Sequence, residues 1–513
     1  MNITFRTDAS LQIGTGHVMR CLTLAHALRD TGARCRFITR ALPGNLADRI
    51  TTEGFEVAIL PAPDGPSPDG DPEHAAWAGI SWEQDAQQTR SLLADYATDW
   101  LVVDHYAFDA RWEQAVQPKG AKLMVIDDLA DRAHDCDLLL DQSLGRTATD
   151  YDGLVPVRST RLTGPKYALL RPEFADMRPL ALVKRVGREF QHLLVTMGGV
   201  DPQDATSRVL HTLREADLPE DLQISVIMGA NAPALEQVRI LAKNMTCPTE
   251  VLVDVTDMAA RMANADLAIG AAGSTTWERC ALGLPTIIVH IAENQKNISR
   301  ALSAAGAALD PGPVNAPEFT QNLQTAMVEM IGTARLTAVS QEAAEICDGD
   351  GTARVILALC SPNIRFRDAK CSDSRRIWEW RRAMSSSFSM SRDDTPFHRH
   401  NLWFQQALES SKCLFRIMML GNLASGYLRL DRSGDNCARV SICLSPDLRG
   451  QGLSYRLLEE AERLGVCYGL TRLNAEIHSL NQASRKVFDR GGYVQSGTVN
   501  NFLKFHRTLE DVL

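Results

Sequence analysis

The chain has 513 residues, 45% of them hydrophobic, so it exceeds one core and divides into two or three domains that each bury their own apolar surface. Its net charge of −9 argues against a general nucleic-acid binder. No secretory signal pattern and no apolar stretch of bilayer length occurs, so a soluble, cytoplasmic protein with no membrane partner is expected.

The first strand, Ile3-Thr4-Phe5-Arg6, alternates apolar and polar residues. After Gly14-Thr15-Gly16-His17, a helix sets Val18, Cys21, Leu22, Ala25 and Leu28 on one face and stops at Gly32. Gly14 to Gly16 is therefore a βα turn, whose free N–H groups and helix dipole favour an anion. In the same dipole His17 should lose some affinity for a proton, leaving a neutral imidazole able to take one from water. A histidine here can equally cap or pack. Strand-like runs at Arg34 to Thr39, Leu101 to Asp104, Lys122 to Asp127 and Asp137 to Asp141 alternate with amphipathic helices, giving a doubly wound α/β lobe over residues 1–175. Pro61 to Pro72 reads as an exposed loop. Asp8, Asp104, His105, Tyr106 and Asp128 fall at strand ends, where they face a cleft or serve structure.

After Pro172 comes a helical, basic connector that ends near Arg188. The strand His192 to Thr196 then runs into Gly198-Gly199, and the βα pattern restarts over residues 185–358, with strands at Ile224 to Met228, Glu250 to Val253, Leu267 to Ile269 and Thr286 to Val289. In Gly270-Ala271-Ala272-Gly273-Ser274-Thr275-Thr276-Trp277-Glu278 a strand ends at a small-residue turn, and a helix starting near Ser274 offers N–H groups and hydroxyls to a diphosphate. Glu278, one turn inside, is placed to accept both hydroxyls of a ribose. A tight turn with a surface glutamate has the same pattern.

The third region, 363–513, mixes strands and helices and carries Trp378, Trp380 and Trp403 near its start. Its strand Ala438 to Leu444 leads into Leu448-Arg449-Gly450-Gln451-Gly452-Leu453-Ser454, followed at once by a helix from Tyr455 to Gly465. Successive N–H groups in such a turn cradle a pyrophosphate, and the strand offers its edge to an extended pantetheine arm. A strand from Arg472 to Ile477 precedes the helix of Asn481 to Phe488, which closes at Gly491-Gly492-Tyr493. Glu476 and His478 flank that strand end and are candidates to relay a proton from an amine, or plain surface residues. The twelve cysteines, Cys21, Cys35, Cys136, Cys280, Cys360 and Cys443 among them, form no CxxC pair and read as reduced thiols.

Taken in order, TDASLQIGTGHVMRCLTLA, VVDHY with IDDLADR and CDLLLDQS, GPKYALLRPEF, MGGVDP, and GAAGSTTWERCALGLP with AENQ resemble the UDP-sugar hydrolases of pseudaminic acid biosynthesis over roughly residues 1 to 358. That family is similar in fold to the GT-B glycosyltransferase that makes lipid II. The resemblance implies hydrolysis of UDP-2,4-diacetamido-2,4,6-trideoxy-β-L-altropyranose by water attack at the anomeric carbon, without a metal. It implies that His17 is the catalytic histidine on the Gly14 and Gly16 turn, that Glu278 is the nucleotide-side acid with Ser274 and Thr275 near phosphate, and that Asn294, Gln295 and Gly199 line the substrate site. Ser143 stands where Asn is expected after Asp141-Gln142, which weakens the transfer of that turn's role.

Residues 363 to 508 resemble the GNAT acetyltransferases, through the RxxGxG/A phosphate turn and the N-x-x-S helix in the expected order. The resemblance implies acetyl-CoA as cosubstrate, held by Leu444, Arg449, Gly450, Gln451, Gly452, Leu453, Ser454 and Asn481. Ser454 replaces the usual Gly or Ala, and Phe488 occupies the place of a tyrosine that protonates the departing thiolate in many relatives. The expected architecture is α/β, two Rossmann-like lobes of GT-B type followed by a GNAT α+β domain. The expected function is bifunctional, N-acetylation of a 4-amino UDP-sugar and hydrolysis of the diacetylated product, with other enzymes of the sugar pathway as possible partners. Competing readings are a GT-B glycosyltransferase, a hydrolase of another amino-sugar route, and a hydrolase carrying a non-catalytic GNAT-like binding module.

Overall fold

The strand that opens the chain buries both faces, Ile3 and Phe5 on one and Thr4 and Arg6 on the other, as the central strand of a parallel sheet covered on both sides does. The computed structural model describes residues 1–65, 68, 70–291, 295–359, 364–385, 395–421, 423–434, 436–449 and 453–509. It forms two compact units, 1–360 and 361–513.

The first unit holds two parallel sheets. One takes β1 (Asn2–Thr7), β2 (Arg34–Arg40), β3 (Glu56–Leu60), β4 (Trp100–Asp104), β5 (Lys122–Ile126), β6 (Leu138–Asp141) and β7 (Thr160–Thr163) in the order β3-β2-β1-β4-β5-β6-β7. The other takes β8 (His192–Thr196), β9 (Gln223–Met228), β10 (Thr249–Val253), β11 (Leu267–Ala271) and β12 (Thr286–Val289) in the order β10-β9-β8-β11-β12. Each order reverses once, between β1 and β4 and between β8 and β11. Connections leave those strands in opposite directions, so a crevice opens past their C-terminal ends.

The helices that shape the sites are α1 (Gly16–Asp30), α2 (Pro172–Lys184), α3 (Thr275–Ala281), α4 (Gly351–Leu359), α5 (Ser374–Ser385), α6 (Phe397–Glu409), α7 (Ser454–Cys467) and α8 (Gln482–Arg490). The apolar face of α1 packs on Ile3, Phe5 and Val102. The segment that reads as a connector is the docked helix α2, whose Phe174 and Ala181 share a core with Trp277 and Leu282. Buried Arg185 donates to the carbonyls of Met262, Ala265 and Leu282 at 2.7–2.8 Å. One guanidinium thereby satisfies carbonyls that helix and turn ends leave without a backbone partner. The last helix of the unit, α4, returns to the first sheet, with Val355, Ile356 and Leu359 in the core of Ile3 and Phe5. At the crossing an ideal Cβ on Gly351 would stand 2.3 Å from the Ala168 carbonyl oxygen, so only glycine fits. Thr352 Oγ1 donates to Leu170 O at 2.7 Å and Arg354 to Lys166 O at 2.8 Å alongside.

The second unit is one sheet, β13 (Ile364–Asp368), β14 (Cys413–Leu420), β15 (Leu423–Arg432), β16 (Cys437–Leu444), β17 (Arg472–His478), β18 (Val494–Val499) and β19 (Phe502–Thr508), in the order β13-β14-β15-β16-β17-β19-β18. All neighbours are antiparallel except β16 and β17, which pair in parallel at Cys437–Arg472, Ala438–Leu473 and Arg439–Asn474. Past those pairs β16 runs on to Leu444 and β17 to His478 with no ladder between them, so the sheet splits there. Helices α5 and α6 cover one face through Ile377, Trp380 and Phe404. The opposite face buries Leu457, Leu458 and Phe488 of α7 and α8. Among the described residues no helix is long and apolar enough to cross a membrane.

Candidate functional site

His17 is the second residue of α1, the helix that follows β1, and Asp104 is the last residue of β4. The strand reversal therefore sets them together, with His17 Nδ1 2.6 Å from Asp104 Oδ1. Arg20, one helical turn after His17, donates to Asp104 Oδ2 at 2.6 Å, to Asp104 Oδ1 at 2.7 Å and to Asp128 Oδ2 at 2.6 Å. Burial alone would raise the pKa of Asp104, but Arg20 and His17 more than offset it and hold the carboxyl well below the usual range. An ionised Asp104 only accepts, so His17 Nδ1 is the donor of this hydrogen bond. Tyr106 stands edge-on to the imidazole at 4.6 Å between ring centres and donates to Asp128 at 2.7 Å. Trp77 and His74 continue this aromatic wall.

Asp8 and His105 lie in a different cluster. Asp8 Oδ1 meets Arg6 at 2.7 Å and the Arg40 N–H at 2.7 Å, and His105 Nε2 is 3.3 Å from Asp8 Oδ2. Asp85 closes the group, taking Arg6 and Arg40 at 2.6 Å each and the Trp112 indole N–H at 2.9 Å. These side chains are inaccessible. They tie β1 and β2 to the helix of Asp85, a structural role. At the Ser143 turn, the Ser143 N–H donates to Asp141 at 2.7 Å and Gln142 Oε1 accepts the Leu169 N–H at 2.6 Å. Burial and the neighbouring Asp128 push Asp141 up to about 6.

In the second sheet, Gly199 follows β8 and the Ser274 turn follows β11, again at the reversal. Ser274 is exposed and Thr275 half-buried, and an ideal Cβ on Gly16 would stand 4.0 Å from Ser274 Oγ. The glycine turn carrying His17 and the turn carrying Ser274 thus face one another at close range. Beneath the second turn lies Arg279, buried, donating to the Ala271 carbonyl at 2.8 Å and to the hydroxyls of Thr276 and Thr275 at 3.1 and 3.2 Å. Glu278 is half-buried, with Arg171 4.0 Å away. Burial pushes its carboxyl up to about 7, against the pull of Arg171. Gln295 accepts the Ile291 N–H at 3.0 Å through Oε1, and Asn294 lies outside the described residues. A cavity of about 440 Å³ that the motifs do not mark opens past β12, with His290, Lys296, Arg300 and Asn322 in its wall.

In the second unit, Leu444 ends β16 at the split. Arg449 Nη2 donates to the Trp380 carbonyl at 3.4 Å, Leu453 stands at the cap position of α7, and Ser454 opens that helix. Gly450, Gln451 and Gly452 lie outside the described residues. Asn481 caps α8, its Oδ1 accepting the Ser484 N–H at 3.0 Å. On β17, Ala475 and Ile477 enter the core, so Glu476 and His478 project to the face that α5 and α6 cover. Glu476 is exposed, 3.9 Å from Arg439, and His478 Nδ1 accepts the Leu480 N–H at 3.3 Å.

Residues 192–329 match the model of the Glycosyltransferase family 28 C-terminal domain, and residues 377–493 that of the Acetyltransferase (GNAT) family. The crystal structure of Acinetobacter baumannii MurG superposes with a TM-score of 0.51 at 14% identity, covering 70% of this chain and 98% of that one. The chain joins two GT-B-type lobes to a GNAT domain. Among curated proteins it is similar to the UDP-2,4-diacetamido-2,4,6-trideoxy-beta-L-altropyranose hydrolase of Campylobacter jejuni, 26% identical over 245 residues, 47% of this chain and 75% of the relative. It is also similar to a spore coat polysaccharide biosynthesis protein of Bacillus subtilis, 29% identical over 198 residues, 38% of this chain and 57% of the relative.

Sequence reasoning missed Arg20, His74 and Trp77 beside His17, and Arg279 under the Ser274 turn. Arg20 left one signal, its i+3 spacing from His17, which puts both on one helix face. In the GNAT domain the split between β16 and β17 is the space an extended pantetheine would need, so the domain fits acetyl-CoA as cosubstrate.

Proposed function

We propose that the GT-B-type lobes hydrolyse a UDP-linked diacetamido sugar to free sugar and UDP, and that the GNAT domain acetylates the 4-amino precursor of that sugar from acetyl-CoA. The observation that carries the hydrolase reading is the His17–Asp104–Arg20 set facing the Ser274 turn. His17 Nε2 takes a proton from water as its oxygen attacks the anomeric carbon, the C1–O bond to the diphosphate breaks, and UDP leaves with the electron pair. Asp104 holds the tautomer and stabilises the imidazolium, and Arg20 keeps Asp104 ionised. N–H groups and hydroxyls at Ser274 and Thr275 receive the departing diphosphate, and Glu278 accepts the ribose hydroxyls. Gly14, Gly16 and Gly199 let the backbone approach the ligand, and Asn294 and Gln295 would contribute to substrate binding.

For the GNAT domain the reading rests on the split sheet and the α7 turn. Leu444 and its strand edge would take the pantetheine, and Arg449 to Ser454 the pyrophosphate. Asn481 holds the neighbouring helix. Acetyl-CoA supplies the acyl group, and Glu476 or His478 relays the amine proton to water. Domains at 1–175, 185–358 and 363–513 carry the chemistry, the nucleotide and the acetyl transfer in turn. Mass spectrometry on protein given the 4-amino UDP-sugar, with and without acetyl-CoA, tests both activities. Free diacetamido sugar formed only with acetyl-CoA supports the proposal, and UDP release that requires an added sugar acceptor would replace the hydrolase with a glycosyltransferase.

A further inference from the structure

His17 and Arg20 share one oxygen. Asp104 Oδ1 lies 2.6 Å from His17 Nδ1 and 2.7 Å from Arg20 Nη2, and the two nitrogens stand 3.4 Å apart. Both carry hydrogen, so they meet as donors to a common acceptor and form no bond with each other. As long as the ring is uncharged, one carboxylate faces one cation. Once the ring has taken a proton from water, an imidazolium and a guanidinium stand side by side, and Asp104 alone does not balance both. The side chains of Arg20 and Asp104 are only 10% and 0% exposed, so water screens these charges weakly.

A second carboxylate, Asp128, stands on the other side of Arg20. The guanidinium gives Nε and Nη2 to Asp104 and Nη1 to Asp128, the last at 2.6 Å. Among the described residues Arg20 is the one cation in contact with the Asp128 carboxylate. The neighbouring arginines are engaged elsewhere. Arg132 meets Asp127, Asp131 and the Phe108 carbonyl, and Arg146 meets Asp141 and the carbonyls of Asp128 and Leu129. Asp128 is held in place, since the oxygen that takes Arg20 also accepts the Tyr106 hydroxyl at 2.7 Å. The turn that carries it is pinned where Asp127 accepts the Ala130 N–H and the Tyr151 hydroxyl, each at 2.9 Å. Resting on the hydrolase reading above, we propose that Asp128 is a positioning residue for the hydrolysis, which offsets the charge of Arg20 and leaves Asp104 to balance the imidazolium formed at His17. It acts through Arg20, without contact to the sugar.

The test follows UDP release by the full chain from the UDP-linked diacetamido sugar, without an added acceptor. Asp128→Asn keeps the shape and an acceptor oxygen for Tyr106 but removes the charge. It should lower kcat about 10–100-fold, with KM and the dissociation constant of UDP within about twofold of the parent, and Asp128→Glu should restore part of the loss. The deciding variant is the double one. Arg20→Gln placed in Asp128→Asn removes the unbalanced cation, so the loss in the pair should be smaller than the product of the two single losses. Losses that multiply make the two residues independent and overturn the proposal, as does an unchanged kcat. A raised KM with kcat intact makes Asp128 a substrate contact and overturns it too. A readout without substrate keeps this apart from the hydrolase reading. The His17 Nδ1–H proton, identified by NMR through its absence from His17→Ala, should move upfield in Asp128→Asn as Arg20 draws the Asp104 carboxylate away from the ring. If the parent releases no UDP yet this resonance moves, the hydrolase reading falls and the hold of Asp128 on the His17–Asp104 pair stands. A resonance that stays in place removes that hold.

Discussion

The two parallel lobes build opposite kinds of surface on the same βα scaffold. Past β1 and β4 the first lobe assembles charge, with His17, Arg20, Asp104 and Asp128 in direct contact and the Arg6, Asp8, Arg40 and Asp85 cluster beneath. Past β8 and β11 the second lobe offers glycines, hydroxyls and main chain, and spends its buried arginines, Arg185 and Arg279, on carbonyl oxygens. The contrast matches the two tasks proposed for the lobes. Moving a proton needs groups whose charge and tautomer are set in advance, whereas holding a diphosphate needs close backbone approach and fixed dipoles.

The sharpest way to break this division is His17→Ala. It should lower UDP release about 10²–10⁴-fold, with the dissociation constant of UDP within about twofold of the parent because the proposed nucleotide contacts sit in the other lobe. Titration calorimetry beside a UDP-release assay reads both quantities, and a large loss of UDP affinity would place His17 in binding instead. Acid comes next. Asp8, Asp85, Asp104 and Asp127 are all held below their ordinary values, burial being outweighed by arginine and histidine partners. Depressed carboxylates contribute stability that is present above the unfolded value, near 3.9, and lost as pH falls below it. Pulsed hydrogen exchange between pH 5 and pH 2.5 should show β1 and β4 opening before β8 and β11, and the reverse order would undo the comparison.

Arg185→Ala tests the second lobe's use of charge. Leaving three buried carbonyls without their donor should cost about 2–4 kcal/mol of stability, seen as a lower Tm with KM unaltered in the folded fraction. The smallest effect belongs to Glu278. Its carboxyl, pushed up to about 7 by burial, becomes a double acceptor only once ionised. The KM for the UDP-sugar should therefore fall as pH rises from 6 to 8, and Glu278→Gln should raise KM at pH 8 by about tenfold and flatten the profile.

How much of this was legible in the sequence follows from the range of the interactions. The central strand His192–Thr196 and the edge strand Thr286–Val289 are short runs between turn signals, and their bounds emerge unchanged. In the first sheet the edge strand Thr160–Thr163 has no apolar run for local pattern to reveal, whereas Val57 to Leu60 in the other edge strand, Glu56–Leu60, is such a run between Gly54 and Pro61. Helix α2 reads as a basic connector because its arginines meet backbone carbonyls far along the chain, not acidic neighbours. The glycine turns were visible because turn chemistry is local. The pairing of His17 and Arg20 with their carboxylates was not, since Asp104 and Asp128 stand 84 and 108 residues beyond Arg20, and only the sheet order unites them.

The return of α4 to the first sheet has a mechanical meaning. The main chain passes between the lobes twice, once near Ala168 and once at Gly351, and the two passages touch backbone to backbone and are laced by Thr352 and Arg354. Any swing of one lobe against the other must turn about this double seam. A single proteolytic nick in either passage would leave the lobes tethered by the other, whereas a bulkier residue at 351 would pry the seam apart without touching a reacting group.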